Sequence, residues 1–414
     1  MLRRLLGAIV KQGTLTLVRP DGKAERFGTG LPEVAIKLHD RRAIWELSLD
    51  PDLKLGELYM DARLTVEHGD IADVLDLLMT NIAHNRVTGI LRFGRAVRQM
   101  LRRFEQYNPV SRTKAHVAHH YDLSGALYDL FLDKDRQYSC AYFSEPGESL
   151  DDAQIGKKRH IAAKLHCDEP GLKVLDIGCG WGGLALDLAR DCQANVLGIT
   201  LSEEQIAIAR DRSVRAHLDD RCKFELVDYR KLGGKFDRIV SVGMFEHVGV
   251  PHYKAFFDKV RDLLADDGVA LIHTIGRSDG PGATNPWISK YIFPGGYTPA
   301  LSEMLPAIER AGFMVSDVEV LRLHYAETLK EWRSRIKKQW SELAALYDER
   351  FCRMWEFYLA GAEMGFRHEG LVVYQVQLIK EVDALPLTRD YIYEAERTMR
   401  FAGTERMPRP KRVA

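Results

Sequence analysis

The residues that most directly suggest chemistry are four glycines in the segment VLDIGCGWGGLAL. The segment passes from an apolar stretch through Asp176 to Gly178, Gly180, Gly182 and Gly183, and then enters a second apolar stretch. Glycines at this spacing let a ligand approach the backbone of a strand-to-helix turn, as in nucleotide-binding loops. A tight turn without a ligand would use the same residues, so the loop gains meaning only from its surroundings.

Two positions distinguish a nicotinamide cofactor from S-adenosylmethionine. A dinucleotide site has an acidic residue at the end of the next strand, where it binds the ribose hydroxyls. Here the next apolar stretch ends at Thr200. The acid comes earlier, at Asp176, where a carboxylate suits the ammonium and sulfonium of S-adenosylmethionine better than a pyrophosphate. The pattern therefore favours a methyltransferase.

Three further residues are of types that can catalyse a reaction. Glu246 follows the apolar segment FDRIVSV directly, and ligand-facing residues of a parallel sheet belong at such strand ends. His273 lies in ALIHTI and Cys140 in YSCAYF. A lone histidine in an apolar strand is usually a satisfied core residue, and the cysteine could be a buried structural thiol, so residue types alone leave their roles open.

Strand-like and helix-like segments alternate from about residue 111 onward. The apolar segments KVLDIG, NVLGIT, CKFELVD, FDRIVSV and VALIHTI predict strands. LALDLARD, EEQIAIARDR and YKAFFDKVRDLLAD show helical periodicity. This alternation predicts an α/β fold, a doubly wound and mostly parallel sheet with ligands at the carboxyl ends of the strands. A long helical stretch is predicted later, over 328–366.

The first hundred residues predict a smaller α+β domain. The segment TLTLVRPDGKAERFG contains Asp21-Gly22 between two alternating stretches, which is typical of a β-hairpin. VAIKLHD and IWELSLD indicate further strands, whereas LGELYMDARL and IADVLDLLMTNI have helical spacing. We expect a lipid- or membrane-associated domain over 1–105 and a catalytic domain over 106–405.

A basic segment, 85–104, lies near this boundary and contains no acidic residue. Its arginines are Arg86, Arg92, Arg95, Arg98, Arg102 and Arg103. Apolar residues lie between them, so a helix here would suit an anionic membrane surface. A linker helix docked on an acidic face of the same protein would have the same composition, and Gly89 and Gly94 disfavour one continuous helix.

Composition excludes several classes of protein. A chain of 414 residues is long enough for two domains, and 59 Lys and Arg balanced by 59 Asp and Glu argue against a nucleic-acid-binding protein. The six cysteines lack zinc-site or redox spacing, which fits a reduced compartment. The first twelve residues show no signal-peptide cleavage pattern, and no apolar run is long enough to span a bilayer. We expect a cytoplasmic protein, peripheral at the inner membrane surface.

A series of ordered motifs resembles one enzyme family. Between about His119 and Arg367 the chain contains LDIGCGWGG, GITLSEEQ, FDRIVSVGMFEHVG, IHTIG, WISKYIFPGGYTP and HYAETLKEW. Together they resemble the cyclopropane-fatty-acyl-phospholipid synthase family, including its mycolic-acid-modifying relatives. The resemblance implies transfer of a methylene unit from S-adenosylmethionine to the double bond of an unsaturated phospholipid acyl chain, forming a cyclopropane. The amino-terminal domain would hold the lipid, and a homodimer is compatible with this arrangement.

The resemblance also implies which residues bind the cofactor. These are Tyr138, Ser139, Gly178, Gly180, Thr200, Leu201, Gln205, Asp228 and Tyr229. Asp176, which directly precedes the glycine loop, is a further candidate for cofactor binding. Val242 would lie against the adenine unless it is a plain core residue. Gln205 would bind the ribose, which explains the missing acid at the strand end. No metal is expected, because His119 and His120 lack a third ligand at suitable spacing.

The base in this family is thought to be a bound bicarbonate. By resemblance, Cys140 and Ile275 would hold it through backbone groups, and Glu246, His273 and Tyr325 through side chains. A small anion beside a carbocation both stabilises the positive charge and accepts the proton. Glu246 can lie beside this anion only if hydrogen bonds or a shared proton offset the repulsion.

The acyl-chain site should be aromatic and dry, because water would capture the cation. Candidates near the motifs are Tyr142, Phe143, Trp287, Tyr291 and Phe293, although ordinary core packing explains each of them as well. Some phospholipid-acting members have a cysteine in the late helical segment where this chain has Ala362. A nucleophilic role for that thiol is therefore unavailable here.

Three other functions share these features. A different fate of the same carbocation would give an exomethylene chain, which a partner enzyme could reduce to a methyl branch. Some plant enzymes with a similar catalytic domain methylate small amines, but the amino-terminal domain argues against that function. A noncatalytic lipid-binding protein would not need the intact glycine loop with Gln205, Glu246, His273 and Tyr325.

Overall fold

The computed structural model describes residues 1–84 and 125–399 of the chain. Its amino-terminal part is the smaller α+β region that the sequence predicts. It consists of α1 (Leu2–Ile9), β1 (Gln12–Val18), β2 (Ala24–Leu38), α2 (Arg41–Leu49), α3 (Pro51–Met60), β3 (Leu64–His68) and α4 (Ile71–His84). The basic segment 85–104 and the residues His119 and His120 lie outside the described residues.

The predicted hairpin is confirmed, whereas one predicted strand is wrong. Strands β1 and β2 pair on either side of the turn that contains Asp21-Gly22. The segment IWELSLD forms α2 instead of a strand. The Asp40 side chain accepts a hydrogen bond from the backbone nitrogen of Ala43 at 2.8 Å and so caps the helix. Helical spacing then buries both Ala43 and Leu47, which strand alternation could equally have placed on one face.

The larger part of the molecule is built on a seven-stranded sheet. Its strands are β4 (Lys173–Ile177), β5 (Asn195–Thr200), β6 (Cys222–Leu226), β7 (Phe236–Val242), β8 (Leu264–Arg277), β9 (Met314–Leu321) and β10 (Leu371–Ile379). Their order is β6-β5-β4-β7-β8-β10-β9, and only the β10 pairings are antiparallel. The predicted doubly wound, mostly parallel sheet is confirmed. The chain changes direction across the sheet between β4 and β7, where such folds form ligand crevices.

Eleven helices accompany these strands in residues 125–399. They are α5 (Gly125–Asp129), α6 (Leu150–Lys164), α7 (Gly183–Asp191), α8 (Glu203–Arg215), α9 (Tyr253–Leu263), α10 (Pro286–Tyr291), α11 (Leu301–Arg310), α12 (His324–Lys338), α13 (Trp340–Leu346), α14 (Glu349–His368) and α15 (Asp390–Thr398). Helices α7, α8 and α9 are those predicted from periodicity. The predicted helix α9 is shorter than expected, since Leu264 already begins β8, and the long helical stretch divides into α12, α13 and α14.

Consecutive residues of β4 belong to different hydrophobic cores. Val174 packs in a cluster with residues of α6 and α7, whereas Leu175 packs in a cluster with residues of α9 and α11. Because neighbouring residues of a strand point to opposite faces, helices cover both sides of the sheet. This burial leaves the carboxyl ends of the strands as the accessible edge.

The amino-terminal region packs directly on the larger part through α3. An added Cβ at Gly56 would lie 2.4 Å from Trp287 Nε1 and 2.7 Å from Phe357 Cε1, so α3 closely approaches α10 and α14. The Tyr59 hydroxyl donates a hydrogen bond to Glu356 at 2.6 Å. The two parts therefore share a packed interface as well as a covalent connection.

The described residues contain neither a membrane-spanning helix nor a metal cluster. No helix within 1–84 and 125–399 is long and apolar enough to cross a membrane. No cluster of three or more His, Cys, Asp or Glu side chains in those ranges could hold a metal ion. The six cysteines are all buried and free.

The close approach at Gly56 predicts a stability effect. We expect Gly56→Ala to lower the free energy of unfolding by about 1–3 kcal/mol through overpacking, because that cost exceeds the gain in helix propensity of about 1 kcal/mol. Chemical denaturation would measure the difference. Gly361→Ala is the matched control, because a Cβ there meets nothing within 4 Å in helix α14. Equal stabilities of the two variants would contradict the tight interface.

Candidate functional site

A cleft opens at the carboxyl ends of β4, β5, β6 and β7. Its empty volume is about 870 Å³ including the open mouth, which suits a nucleoside-sized ligand. The predicted cofactor residues that line it are Gly178, Gly180, Thr200, Leu201, Gln205, Asp228, Tyr229 and Val242. The cleft thus lies at the crevice where doubly wound sheets bind ligands.

The glycine loop forms one wall of this cleft. The backbone nitrogens of Gly178 and Cys179 donate to the carbonyl of Ile199 on β5, at 2.9 and 3.0 Å, which fixes the loop to the neighbouring strand. Gly178 has φ 84° and Gly180 has φ 54°, a region that glycine occupies without strain. An added Cβ at Gly180 would meet nothing within 4 Å, so this residue borders open space. The loop geometry leaves room for a ligand to approach the backbone.

Thr200 and Gln205 form a buried polar wall beside the loop. The Thr200 hydroxyl donates to Gln205 Oε1 at 2.9 Å. Ser202 Oγ accepts from the Gln205 backbone nitrogen at 3.3 Å and caps helix α8. With its carbonyl oxygen engaged, Gln205 keeps its amide NH2 group for donation to a ligand hydroxyl. This geometry fits the predicted ribose contact.

Asp228 is held by a neighbour that the sequence did not single out. Burial alone would raise the pKa of Asp228, but Arg230 donates to both carboxylate oxygens, at 2.8 and 2.5 Å, and lowers it. Arg230 also lines the cleft. The carboxylate therefore stays ionised and fixed in orientation at the rim of the cleft.

Tyr138, Ser139 and Asp176 are not among the residues that line the cleft. Asp176 is buried in β4. Burial raises its pKa to about 7, although the positive charge of Lys157 partly lowers it. The Tyr138 ring stacks on Trp332 at a centroid distance of 5.3 Å. Ser139 Oγ accepts a hydrogen bond from Lys157 at 2.7 Å. Direct contact of these three residues with a cofactor stays a prediction.

Glu246 is a half-buried residue whose carboxyl group is buried beside the end of β8. Its Oε1 accepts a hydrogen bond from the Ile275 backbone nitrogen at 2.7 Å. Its Oε2 is buried and accepts no hydrogen bond within the described part of the chain. Burial raises the pKa of Glu246 to about 7, so the protonated form is populated near neutral pH. A protonated Glu246 can donate a hydrogen bond to an anion. Such a shared proton offsets the repulsion expected between a carboxylate and that anion.

His273 is a buried, neutral imidazole. Burial lowers its pKa to about 3, and the charge of Lys157 adds to this effect. Gln375, its partner across the β8–β10 pairing, donates from Nε2 to His273 Nδ1 at 3.2 Å. This bond places the ring proton on Nε2, which can donate to a ligand. Gln375 was not predicted, although a glutamine within the apolar segment LVVYQVQLI was a visible signal.

Cys140 and Tyr325 belong to one hydrophobic core, against which Ile275 packs. Burial raises the pKa of Cys140 well above its usual range, so its thiol is not a nucleophile at neutral pH. The next residue, Ala141, donates from its backbone nitrogen to Thr328 Oγ1 at 3.0 Å. Thr328 is three residues after Tyr325 on α12, so this helix positions both parts of the predicted anion cage.

Most of the predicted aromatic candidates have packing partners of their own. Tyr142 stacks between His160 and His324, at centroid distances of 4.2 and 5.0 Å. Trp287 packs on Phe357 at 4.8 Å. A different set, which the sequence analysis missed, surrounds Tyr138 or its neighbours: Tyr128, Phe131, Trp332, Trp355 and Tyr358. These residues come from three helices, α5, α12 and α14, and from the turn after α5, and they carry no common local motif.

The chain is similar to known proteins over most of its length. Residues 109–376 match the family model described as mycolic acid cyclopropane synthetase. Residues 3–85 match a domain of unknown function. A probable fatty acid methyltransferase of Pseudomonas putida is 38% identical over 375 residues, covering 87% of this chain and 92% of the relative. The cyclopropane-fatty-acyl-phospholipid synthase of Escherichia coli is 36% identical over 362 residues, covering 86% and 90%.

A solved structure resembles the larger part of the molecule. It is mycolic acid cyclopropane synthase CmaA1 complexed with SAH and CTAB, at 32% identity and a TM-score of 0.60. The match covers 66% of this chain and 99% of that chain. The additional third of this chain therefore has no counterpart in that structure, whereas the two relatives above match nearly their whole length.

The open space beside Gly180 predicts a binding effect. We expect Gly180→Ala to weaken binding of S-adenosylhomocysteine by about tenfold, because the methyl group would occupy the cleft wall where the ligand approaches. Isothermal titration calorimetry would measure the affinity. Gly234→Ala is the control, because Gly234 also has positive φ and free space around its Cβ position but does not line the cleft. Equal affinities would show that the ligand does not approach Gly180.

The buried acid predicts a pH dependence of stability. The pKa of Glu246 is about 7 in the folded protein against 4.5 in the unfolded chain. Its contribution is therefore fully present below pH 4.5 and is lost as the pH rises through 7. Wild type should lose about 2 kcal/mol from this residue between about pH 5 and pH 8, and Glu246→Gln should not.

Denaturation curves at both pH values would measure this difference. Glu309→Gln, which removes an exposed acid, is the control for loss of an acidic group in general. An E246Q variant whose stability falls with pH as steeply as that of wild type would show that Glu246 is not a protonated buried acid.

Proposed function

The chain belongs to the mycolic acid cyclopropane synthetase family, as an S-adenosylmethionine-dependent methyltransferase of the cyclopropane synthase type, and on that premise we propose its substrate and base. We propose that it transfers a methylene unit to the double bond of an unsaturated acyl chain of a membrane phospholipid. The observation that carries this proposal is the similarity over 90% of the length of the Escherichia coli phospholipid synthase. That similarity extends beyond the part shared with the mycolic acid enzyme.

The cleft residues fit the cofactor. When bound, S-adenosylmethionine supplies an electrophilic methyl group on a sulfonium. The backbone around Gly178 and Gly180 would accommodate its close approach, and the Gln205 amide would donate to the ribose. Val242, at the end of β7, would lie against the adenine. Asp228, oriented by Arg230, lines the same cleft, as do Tyr229, Leu201 and Thr200.

We place the base in the buried region around Glu246. A bicarbonate bound there would take a proton from the newly added methyl group, which closes the cyclopropane ring and converts the bicarbonate to carbonic acid. Protonated Glu246 and the Nε2–H of His273 donate toward this anion, as does the Tyr325 hydroxyl. The Ile275 backbone nitrogen already binds Glu246, so Ile275 contributes by orienting that acid. Cys140 contributes through its backbone, since its thiol stays protonated.

The domain assignment and location extend this proposal. We propose that 1–105 associate with lipid at an anionic membrane surface and that 106–405 form the catalytic domain, with the protein peripheral at the inner face of the membrane. The packed α3 interface supports cooperation between the two parts, because Tyr59 and Glu356 connect them. The boundary itself lies outside the described residues. A homodimer stays a prediction.

A second product is supported by a relative. The Pseudomonas putida protein is named a probable fatty acid methyltransferase, which fits a product without a cyclopropane. The methyl transfer and the carbocation would be the same. A 1,2-hydride shift would move the cation to the carbon that bears the new methyl group, and loss of a proton from that methyl group would then leave an exomethylene chain, the precursor of a methyl branch.

A labelling experiment tests the proposed function. We expect purified protein, incubated with S-adenosylmethionine carrying a ¹³C methyl group and vesicles of unsaturated phospholipid, to give high-field cyclopropyl signals in NMR spectra of the extracted chains. The matched control is Glu246→Gln, for which we expect about 100-fold slower turnover because a donor to the base is altered.

Other signals would lead to other conclusions. Vinylidene signals would show that the product is an exomethylene chain instead of a cyclopropane. Absence of label from lipid, with S-adenosylhomocysteine still bound, would contradict the lipid substrate and favour a small-amine methyltransferase. Full activity of E246Q would contradict the role of Glu246 while leaving the lipid substrate intact.

A further inference from the structure

A buried lysine lies beside the site and was not predicted from the sequence. Lys157, on α6, is 0% exposed. Its ammonium donates to Gln137 Oε1 and Ser139 Oγ, both at 2.7 Å. Both acceptors are neutral, and Lys157 forms no direct ion pair within the described residues. Burial lowers the pKa of Lys157 to about 7, so its ammonium and its neutral amine are both populated near neutral pH. Burying this group without a paired carboxylate opposes folding, so its presence points to a role other than stability.

Two other buried lysines of the same helix are paired. Lys158 binds Asp135 at 2.6 Å and Asp187 at 2.5 Å. Lys164, also 0% exposed, forms an ion pair with Asp317 at 3.3 Å. Helix α6 therefore neutralises its other buried cations by direct contact. Of these three lysines, only Lys157 donates to neutral groups and to no carboxylate within the described residues.

The charge of Lys157 acts on both sides of the site. It opposes the effect of burial on the pKa of Asp176, which precedes the glycine loop. It adds to the effect of burial on the pKa of His273, in the predicted anion cage. The positive potential of Lys157 therefore extends from the cofactor side to the cage side.

Ser139 can carry this effect to a ligand. Its hydroxyl oxygen accepts the hydrogen bond from Lys157, which leaves the hydroxyl proton for donation. A hydroxyl that accepts from a cation is polarised and becomes a stronger donor. A strong donor in a dry, positive environment suits a carboxylate-type anion.

We propose that Lys157 is a positioning residue that polarises Ser139 to bind a carboxylate-type anion, either the amino-acid carboxylate of the cofactor or the bicarbonate. The identity of these two anions rests on the proposed function. Lys157 does not touch the anion. It acts by fixing the orientation of Ser139 and by balancing the negative charge that enters the buried site.

The test compares wild type with Lys157→Met, which removes the charge at nearly constant volume. Calorimetry would measure binding of S-adenosylhomocysteine and of methylthioadenosine, which lacks the amino-acid carboxylate. Turnover at varied bicarbonate would give its half-saturation concentration. A loss of about tenfold in S-adenosylhomocysteine affinity alone assigns the cofactor carboxylate, and a rise of about tenfold in bicarbonate half-saturation assigns the bicarbonate. No change in either quantity would overturn the proposal.

Two variants separate positioning from a structural role. Because Lys157 acts through Ser139, adding Lys157→Met to Ser139→Ala should cause little further loss, whereas independent structural effects would add. Lys164→Met removes an equally buried lysine from the same helix. We expect it to affect stability, to leave the affinity for S-adenosylhomocysteine unchanged, and to alter bicarbonate half-saturation less than Lys157→Met does, because Lys164 lowers the pKa of His273 less than Lys157 does. Additive losses, or equal anion effects in K164M, would overturn the proposal. If K157M does not fold, Lys157→Gln should give the same loss, and an unchanged K157Q would overturn the proposal equally.

Failure of the proposed role of Lys157 can be distinguished from failure of the proposed function. Wild-type turnover that ignores bicarbonate would refute the proposed base and the bicarbonate arm together. The comparison of S-adenosylhomocysteine with methylthioadenosine would still decide the role of Lys157, because it measures binding and needs neither a lipid substrate nor turnover.

Discussion

Exclusion of water from ionisable groups is the constraint on which this site depends. Glu246 and His273 lie in the protein interior, where burial raises the pKa of the acid to about 7 and lowers that of the imidazole to about 3. Both groups are then hydrogen-bond donors near neutral pH, although in water the acid would be ionised. A dry site also protects a carbocation from water, so the same burial serves the electrostatics and the chemistry.

Two helices hold the chain segment that contains Ser139 and Cys140 in this buried region. Helix α12 supplies Tyr325 and Thr328, and Thr328 accepts a hydrogen bond from Ala141 in the segment that follows Ser139 and Cys140. Helix α6 supplies Lys157 from beneath the same segment. The short stretch 137–141 is thereby fixed from two sides. The cofactor cleft lies beside it and is more open, as a ligand that must enter and leave requires.

The amino-terminal region contributes through packing instead of through residues in the cleft. Its helix α3 approaches α10 and α14 closely at Gly56, where there is no space for a side chain. Helix α14 in turn contributes Tyr358, whose hydroxyl lies 3.1 Å from that of Tyr138. Packing contacts therefore connect the amino-terminal region, through α14, to the aromatic residues around Tyr138.

Local patterns in the sequence predicted strands β4 to β8, the helices α7, α8 and α9 between them, and the glycine loop, because periodicity and positive-φ glycines act over a few residues. They did not predict β9 and β10, which complete the sheet through antiparallel pairings. They failed at α2, where the cap at Asp40 decided between a strand and a helix. The ordered motifs indicated the family and, by resemblance, Glu246 and His273. Only the tertiary structure revealed Lys157, Gln375 and the aromatic set around Tyr138, because their significance depends on burial and on partners distant in the chain. Charge states in a folded protein follow from desolvation, and desolvation is a property of the assembled molecule.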